Sequence, residues 1–145
     1  MSTALILGPL QSSSAVLPLF DARVPAGFPS PALDHMEHKL SIDALLDLQA
    51  THTYVVAVSG DSMTGAGIFD GDHLIVSRAI PAKPGHVVVA CLNGDALVKR
   101  LTQEQGQFIL QSENPAYSPR YILENDELTI WGVVTHSLRN HLTHG

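Results

Sequence analysis

Cysteine is nearly absent from this 145-residue sequence: Cys91 stands alone, so no internal disulfide can form, and a reducing compartment suits the chain. Charge is scarce too. Only 15% of residues are Asp, Glu, Lys or Arg, and eight basic residues against fourteen acidic ones leave a net charge of -6 with histidine neutral. Such a chain makes a poor grip on phosphate backbones. No apolar run approaches the ~20 residues of a membrane helix. The opening Met1–Phe20 lacks a basic secretory leader and is broken by Gly8, Pro9 and Pro18. These scarcities argue against a transmembrane protein, a disulfide scaffold and a basic nucleic-acid module. What is plentiful is apolar residues, at 45%, enough for one small domain with its own core and a cytoplasmic setting.

Residues 1–32 read as an extended N-terminal arm. Pro9, Pro18, Pro25, Pro29 and Pro31 interrupt any helix there, yet Leu17, Leu19, Phe20, Val24 and Phe28 want a surface, so the arm is expected to dock on the domain or a partner chain. Residues 33–145 form the domain. Ser41 is placed to cap a short helix carrying Ile42, Leu45, Leu46 and Gln49 on one face. From Thr53 onward the pattern is β. Strands are expected at Thr53–Val58, His73–Ser77, His86–Leu92, Ala96–Thr102, Phe108–Gln111 and Leu128–Ser137, with Asn93-Gly94 as a tight hairpin turn. The fold class is therefore mostly β: a compact β domain with a short helix and an extended arm.

Two features carry chemistry. In Val58-Ser59-Gly60-Asp61-Ser62-Met63 a strand runs into a turn, where a serine hydroxyl can project into a cleft beside backbone N–H groups, as an acyl-transfer nucleophile and its oxyanion hole require. Alone, Gly-Asp-Ser is also an ordinary turn. In Leu97-Val98-Lys99-Arg100-Leu101, strand alternation puts Leu97, Lys99 and Leu101 on one face. That face is expected to be buried, which lowers a lysine pKa and makes the amine available as a general base; the competing reading is a lysine that snorkels to solvent. Jointly, Ser62 and Lys99 supply what a Ser–Lys dyad needs.

Ser59-Gly60-Asp61-Ser62-Met63, with Lys99 in Val98-Lys99-Arg100-Leu101 downstream, resembles the self-cleaving LexA/UmuD family of Ser–Lys peptidases, and within it the UmuD-type proteins. Ala26-Gly27-Phe28-Pro29-Ser30-Pro31-Ala32 is similar to the segment around their cleavage site. Asp70-Gly71-Asp72, Asn114-Pro115-Ala116-Tyr117-Ser118-Pro119 and Trp131-Gly132-Val133-Val134 also follow the family pattern. The resemblance implies Ser62 as nucleophile, Lys99 as base, the Ser62 and Met63 backbone N–H groups as oxyanion donors, and a scissile bond between Ala26 and Gly27. UmuD-type proteins usually carry cysteine where Ala26 stands; alanine is the LexA-type residue, and both are small. The resemblance further implies the LexA/UmuD-type C-terminal β domain, a homodimer and no cofactor. It implies cleavage stimulated by a RecA–single-stranded DNA filament, and a trimmed form that joins a UmuC-like Y-family polymerase in error-prone translesion synthesis. Only 26 residues precede the Ala26-Gly27 bond, with Arg23 their one basic residue. No helix-turn-helix domain and no direct operator binding are therefore expected, and no membrane anchor of the signal-peptidase kind.

Three other readings compete. His35 and His38 with Asp34 and Glu37, or His136, His141 and His144, suggest a metal, but neither group has zinc-finger spacing with cysteine; no metal is expected. A Ser–His–Asp triad using Ser62 with His73 or His86 is the second. A dimeric interaction module that does not cleave and regulates a polymerase or another DNA-damage partner is the third. Cys91, in the apolar run Val87–Leu92, is read as a core residue.

Overall fold

A computed structural model describes residues 2–10, 16–20, 36–46 and 51–142, with the backbone alone for 16–20 and 36–40. The chain divides into two units, residues 11–48 and residues 1–10 with 49–145. In the smaller unit, β2 (Val16–Phe20) pairs antiparallel with β3 (Met36–Ser41). Ser41 then caps the one-turn helix α1 (Ile42–Leu45), its hydroxyl accepting from the Ala44 N–H at 3.0 Å. Gln49, the Ala26-Gly27 bond and His35 lie outside the described residues.

The larger unit is an antiparallel sheet, as the short β-branched runs between turn residues predict. It holds β1 (Thr3–Pro9), β4 (Thr53–Ser59), β5 (His73–Ser77), β6 (Val87–Leu92), β7 (Asp95–Glu104), β8 (Gln107–Gln111), β9 (Arg120–Tyr121) and β10 (Leu128–Leu138). Their order is β1-β4-β5-β10-β6-β7-β8-β9, and β1 also pairs with β7, which bends the sheet into a closed ring. Closure leaves two apolar layers. Val56, Val58, Met63, Leu74, Val76, Val89 and Val98 pack in one, and Val88, Ala90, Leu97, Leu101, Leu110 and Val133 in the other. Burying each of these Val, Leu or Met side chains contributes about 1.5–3 kcal/mol.

The turns explain the register. Asn93 and Gly94 have φ of 51° and 89°, the left-handed pair of a type I′ hairpin that joins β6 to β7 without splaying them. Gln105 and Gly106, at 51° and 79°, make the same turn between β7 and β8; the sequence reading does not single it out. Residues 3–9, assigned to the arm from sequence, form a strand inside the sheet, paired from Thr3↔Ser59 to Pro9↔Tyr54 with a bulge between Ile6 and Gly8. Pro9 ends that strand, a place where its missing N–H is tolerated.

The β6–β7 turn is tied to the segment before β10 by Asp126. Its carboxylate accepts from the Leu123 N–H at 2.8 Å, from Asn93 Nδ2 at 3.0 Å and from Arg120 at 2.9 Å. The backbone N–H leads in holding its pKa down at about 2, against an ordinary 3.8. A depressed folded-state value means that the stabilisation is present above 3.8 and is lost as pH falls towards about 2. Urea titrations across that window should therefore show a steeper loss for wild type than for Asp126→Asn; equal slopes would contradict the assignment.

Candidate active site

β4 ends at Ser59, and the chain turns through Gly60 and Asp61 into Ser62. Gly60 has φ of 96°, a conformation side chains resist, and its N–H donates to Asp70 Oδ1 at 2.8 Å. The next turn of the chain, Asp70-Gly71-Asp72, is stitched to the end of β4 by Val58 N–H to Asp72 O at 3.0 Å and Gly71 N–H to Val58 O at 2.9 Å. Asp72 is buried, and it accepts from the Phe69 N–H at 2.9 Å and from Arg139 Nε at 3.2 Å. Ser62 and Met63 are fully buried on this frame.

β7 brings Lys99 to the same point. Leu97, Lys99 and Leu101 are all buried, as alternation predicts, and Val98 on the opposite face is buried as well. Lys99 does not snorkel: it is 3% exposed, and Nζ lies 2.9 Å from Ser62 Oγ and 2.9 Å from Ser112 Oγ. None of the ion pairs among the described residues includes it. Burial without a carboxylate pushes its pKa below 10.5, because desolvation penalises the ammonium. The amine also lies 5.7 Å from the centre of the Tyr117 ring.

The loop after β8 covers the serine turn. Asn114 Nδ2 donates to Asp61 O at 2.9 Å, and the Tyr117 hydroxyl donates to the Asp61 carboxylate, which holds the phenol above its ordinary 10.0. Gly65 N–H donates to Glu113 O at 2.7 Å; a Cβ on Gly65 would stand 2.6 Å from that oxygen, so the approach requires glycine. Glu113 in turn pairs with Arg100. A cavity of about 370 Å³ opens beside Lys99, walled by Leu92, Leu97, Leu110 and Tyr117 among others, wide enough for aliphatic side chains of a docked segment.

An uncharged amine in hydrogen-bond contact with a buried hydroxyl can take the hydroxyl proton as the oxygen attacks a carbonyl. Among the described residues, histidine is not a partner of Ser62. Ser62 Oγ contacts Lys99 and the Ser2 N–H, while His86 Nδ1 accepts from the Lys83 N–H and His73 is exposed. Among the described residues no three His, Cys, Asp or Glu side chains are grouped to hold a metal ion, and the side chains of the Asp34–His38 cluster lie outside them. Sequence reasoning missed Ser112 and Ser2. Ser112 had no signal at all; Ser2 was hidden in the arm.

The Peptidase S24-like family model matches residues 18–135, most of the chain and both of its site segments. The chain belongs to the S24 peptidase-like family. It is 38% identical over 126 residues to protein MucA of Salmonella typhimurium, covering 86% of each chain. It is 41% identical over 127 residues to protein SamA of the same species, covering 88% of this chain and 86% of SamA. It is 40% identical over 129 residues to the LexA repressor of Bordetella pertussis, covering 89% of this chain but 59% of that repressor. The S24 assignment agrees with the LexA/UmuD resemblance read from the motifs. No helix among the described residues is long and apolar enough to cross a membrane.

Proposed function

We propose that this S24 peptidase-like chain cuts itself between Ala26 and Gly27, with Ser62 as nucleophile and Lys99 as general base. One observation carries the reading: Lys99 Nζ is 2.9 Å from Ser62 Oγ, buried, and in no ion pair with a carboxylate among the described residues. Lys99 takes the Ser62 proton as Oγ attacks the Ala26 carbonyl. The Ser62 and Met63 N–H groups stabilise the resulting oxyanion. Lys99 then returns the proton to the Gly27 nitrogen, the amide breaks, and water releases the acyl group from Ser62. A tethered substrate has a high effective concentration, so a modest dyad suffices. The likeness to MucA and SamA supports the UmuD-type branch: a homodimer whose cleavage a RecA–single-stranded DNA filament stimulates. The trimmed form then serves as a subunit of a UmuC-like Y-family translesion polymerase in SOS mutagenesis.

Incubating purified protein with RecA filament, or at alkaline pH, should give a fragment beginning Gly27-Phe28-Pro29, while Ser62→Ala stays whole. A wild-type chain that remains intact under both conditions overturns the reading in favour of the non-cleaving interaction module. In cells, a chain starting at Gly27 should support damage-induced mutagenesis even with Ser62→Ala.

A further inference from the structure

We propose that residues 2–9 are a built-in ligand of the groove between β4 and β7, and that self-cleavage starts only when this strand leaves. The proposal rests on the peptidase reading of Ser62. Ser62 ends the turn after β4 and Lys99 sits on β7, so an extended segment that reaches both must lie between those strands and pair with their edges, by strand addition. The N-terminal strand lies there already. Thr3 is opposite both Ser59 of β4 and Leu97 of β7.

Ser2, fully buried, makes the contacts at the serine itself. Its N–H donates to Ser62 Oγ at 2.7 Å, and its Oγ accepts from the Ser62 N–H at 3.1 Å. Its carbonyl accepts from the Val98 N–H at 3.2 Å. The first bond occupies a lone pair that the nucleophile needs. The second occupies one of the proposed oxyanion donors. The third engages the Ser2 carbonyl with the Val98 N–H of β7. The occupant therefore offers Ser62 an N–H rather than an electrophilic carbon, and it is not cut. A purely structural stave would need none of these polar contacts at Ser62.

The strand is also built to let go. Leu5, Ile6 and Leu7 are 64%, 40% and 52% exposed, and the ladder is interrupted at the bulge before Gly8. Its hold on the groove is mostly backbone pairing, with Ala4 alone packed against the core layer. On the peptidase reading, this strand and the Ala26-Gly27 segment compete for a single groove, and any partner that favours the strand-out form raises the cleavage rate by shifting that population.

The test is a reversible lock. Leu5 and Ala57 are cross-strand partners, so Leu5→Cys with Ala57→Cys, made in full-length chain with Cys91→Ser, should form a disulfide that pins the strand. Oxidised protein should self-cleave at least about tenfold more slowly than the same protein after reduction. Ser2→Ala, which removes one hydrogen bond from the strand, should cleave roughly fivefold faster than wild type. Hydrogen exchange at the Val98 amide in uncleaved protein provides a readout independent of chemistry. Protection there supports occupancy. Equal cleavage in the two redox states, or free exchange at Val98, overturns the proposal. A wild-type chain that never cleaves but protects Val98 overturns the peptidase reading and leaves the groove occupancy supported.

Discussion

Replacing Lys99 with methionine should lower self-cleavage roughly a hundred- to ten-thousand-fold, the span a general base contributes, while the protein stays folded. A methionine has nearly the same length and no charge, and the site around Nζ is already dry. The thioether fills the volume, so a loss of cutting cannot be assigned to unfolding. Lys99→Arg separates charge from shape: a guanidinium cannot give up its proton, so this variant should be comparably inactive and also less stable, by about 1–3 kcal/mol. Stability against pH carries the same signature. The folded-state pKa of Lys99 lies below 10.5, so between that lowered value and 10.5 the unfolded chain binds a proton that the folded chain does not. Wild-type stability should therefore rise with pH through this window, and the rise should be absent in Lys99→Met. Chemical denaturation at several alkaline pH values, beside gel assays of cleavage, checks both statements. A Lys99→Met protein that cuts at the wild-type rate would remove Lys99 from the chemistry.

The second large effect concerns the frame under Ser62. Asp72→Ala should cost about 2–3 kcal/mol, less than the roughly 3–5 kcal/mol of breaking a fully buried ion pair, because Arg139 keeps partial access to solvent. The substitution leaves the Phe69 N–H without its acceptor and the guanidinium of Arg139 stacked on the Phe69 ring, 3.6 Å from its centre, with no carboxylate beside it. The Asp70-Gly71-Asp72 turn holds the end of β4, so the loosening reaches the Ser62 loop. The urea midpoint should fall, and self-cleavage should fall further than the folded fraction does. An unchanged midpoint would show that the carboxylate contributes nothing net.

Much of this is legible in the sequence alone. Strands β4 to β8 and β10 announce themselves as short apolar runs between turn residues, most of them rich in β-branched side chains, and Asn93-Gly94 by the left-handed backbone it favours. Ser41 reads as a cap because its hydroxyl acts locally, three residues on. The burial of Lys99 could be read from the leucines two positions either side, since alternation is a local rule. Ser2 and Ser112 could not be read. Ser2 meets a residue 60 positions away, and Ser112 meets one 13 away across a hairpin; neither contact leaves a periodic trace. Strand β1 was hidden for a related reason. Its outward Leu5, Ile6 and Leu7 remain exposed, so no alternation marks it, and its pairing with β4 depends on an edge about 50 residues downstream. The Asp70-Gly71-Asp72 motif was visible as a pattern, but its physical role as a clamp on β4 emerges only from the Val58 and Arg139 contacts.

The most direct measurement is an NMR titration of the Lys99 side chain, following its Cε shift in uncleaved protein. The account predicts a midpoint well below the ordinary 10.5, and a self-cleavage rate that climbs through that same midpoint. A Lys99 that holds its proton up to 10.5, or a rate that ignores its titration, would contradict the account.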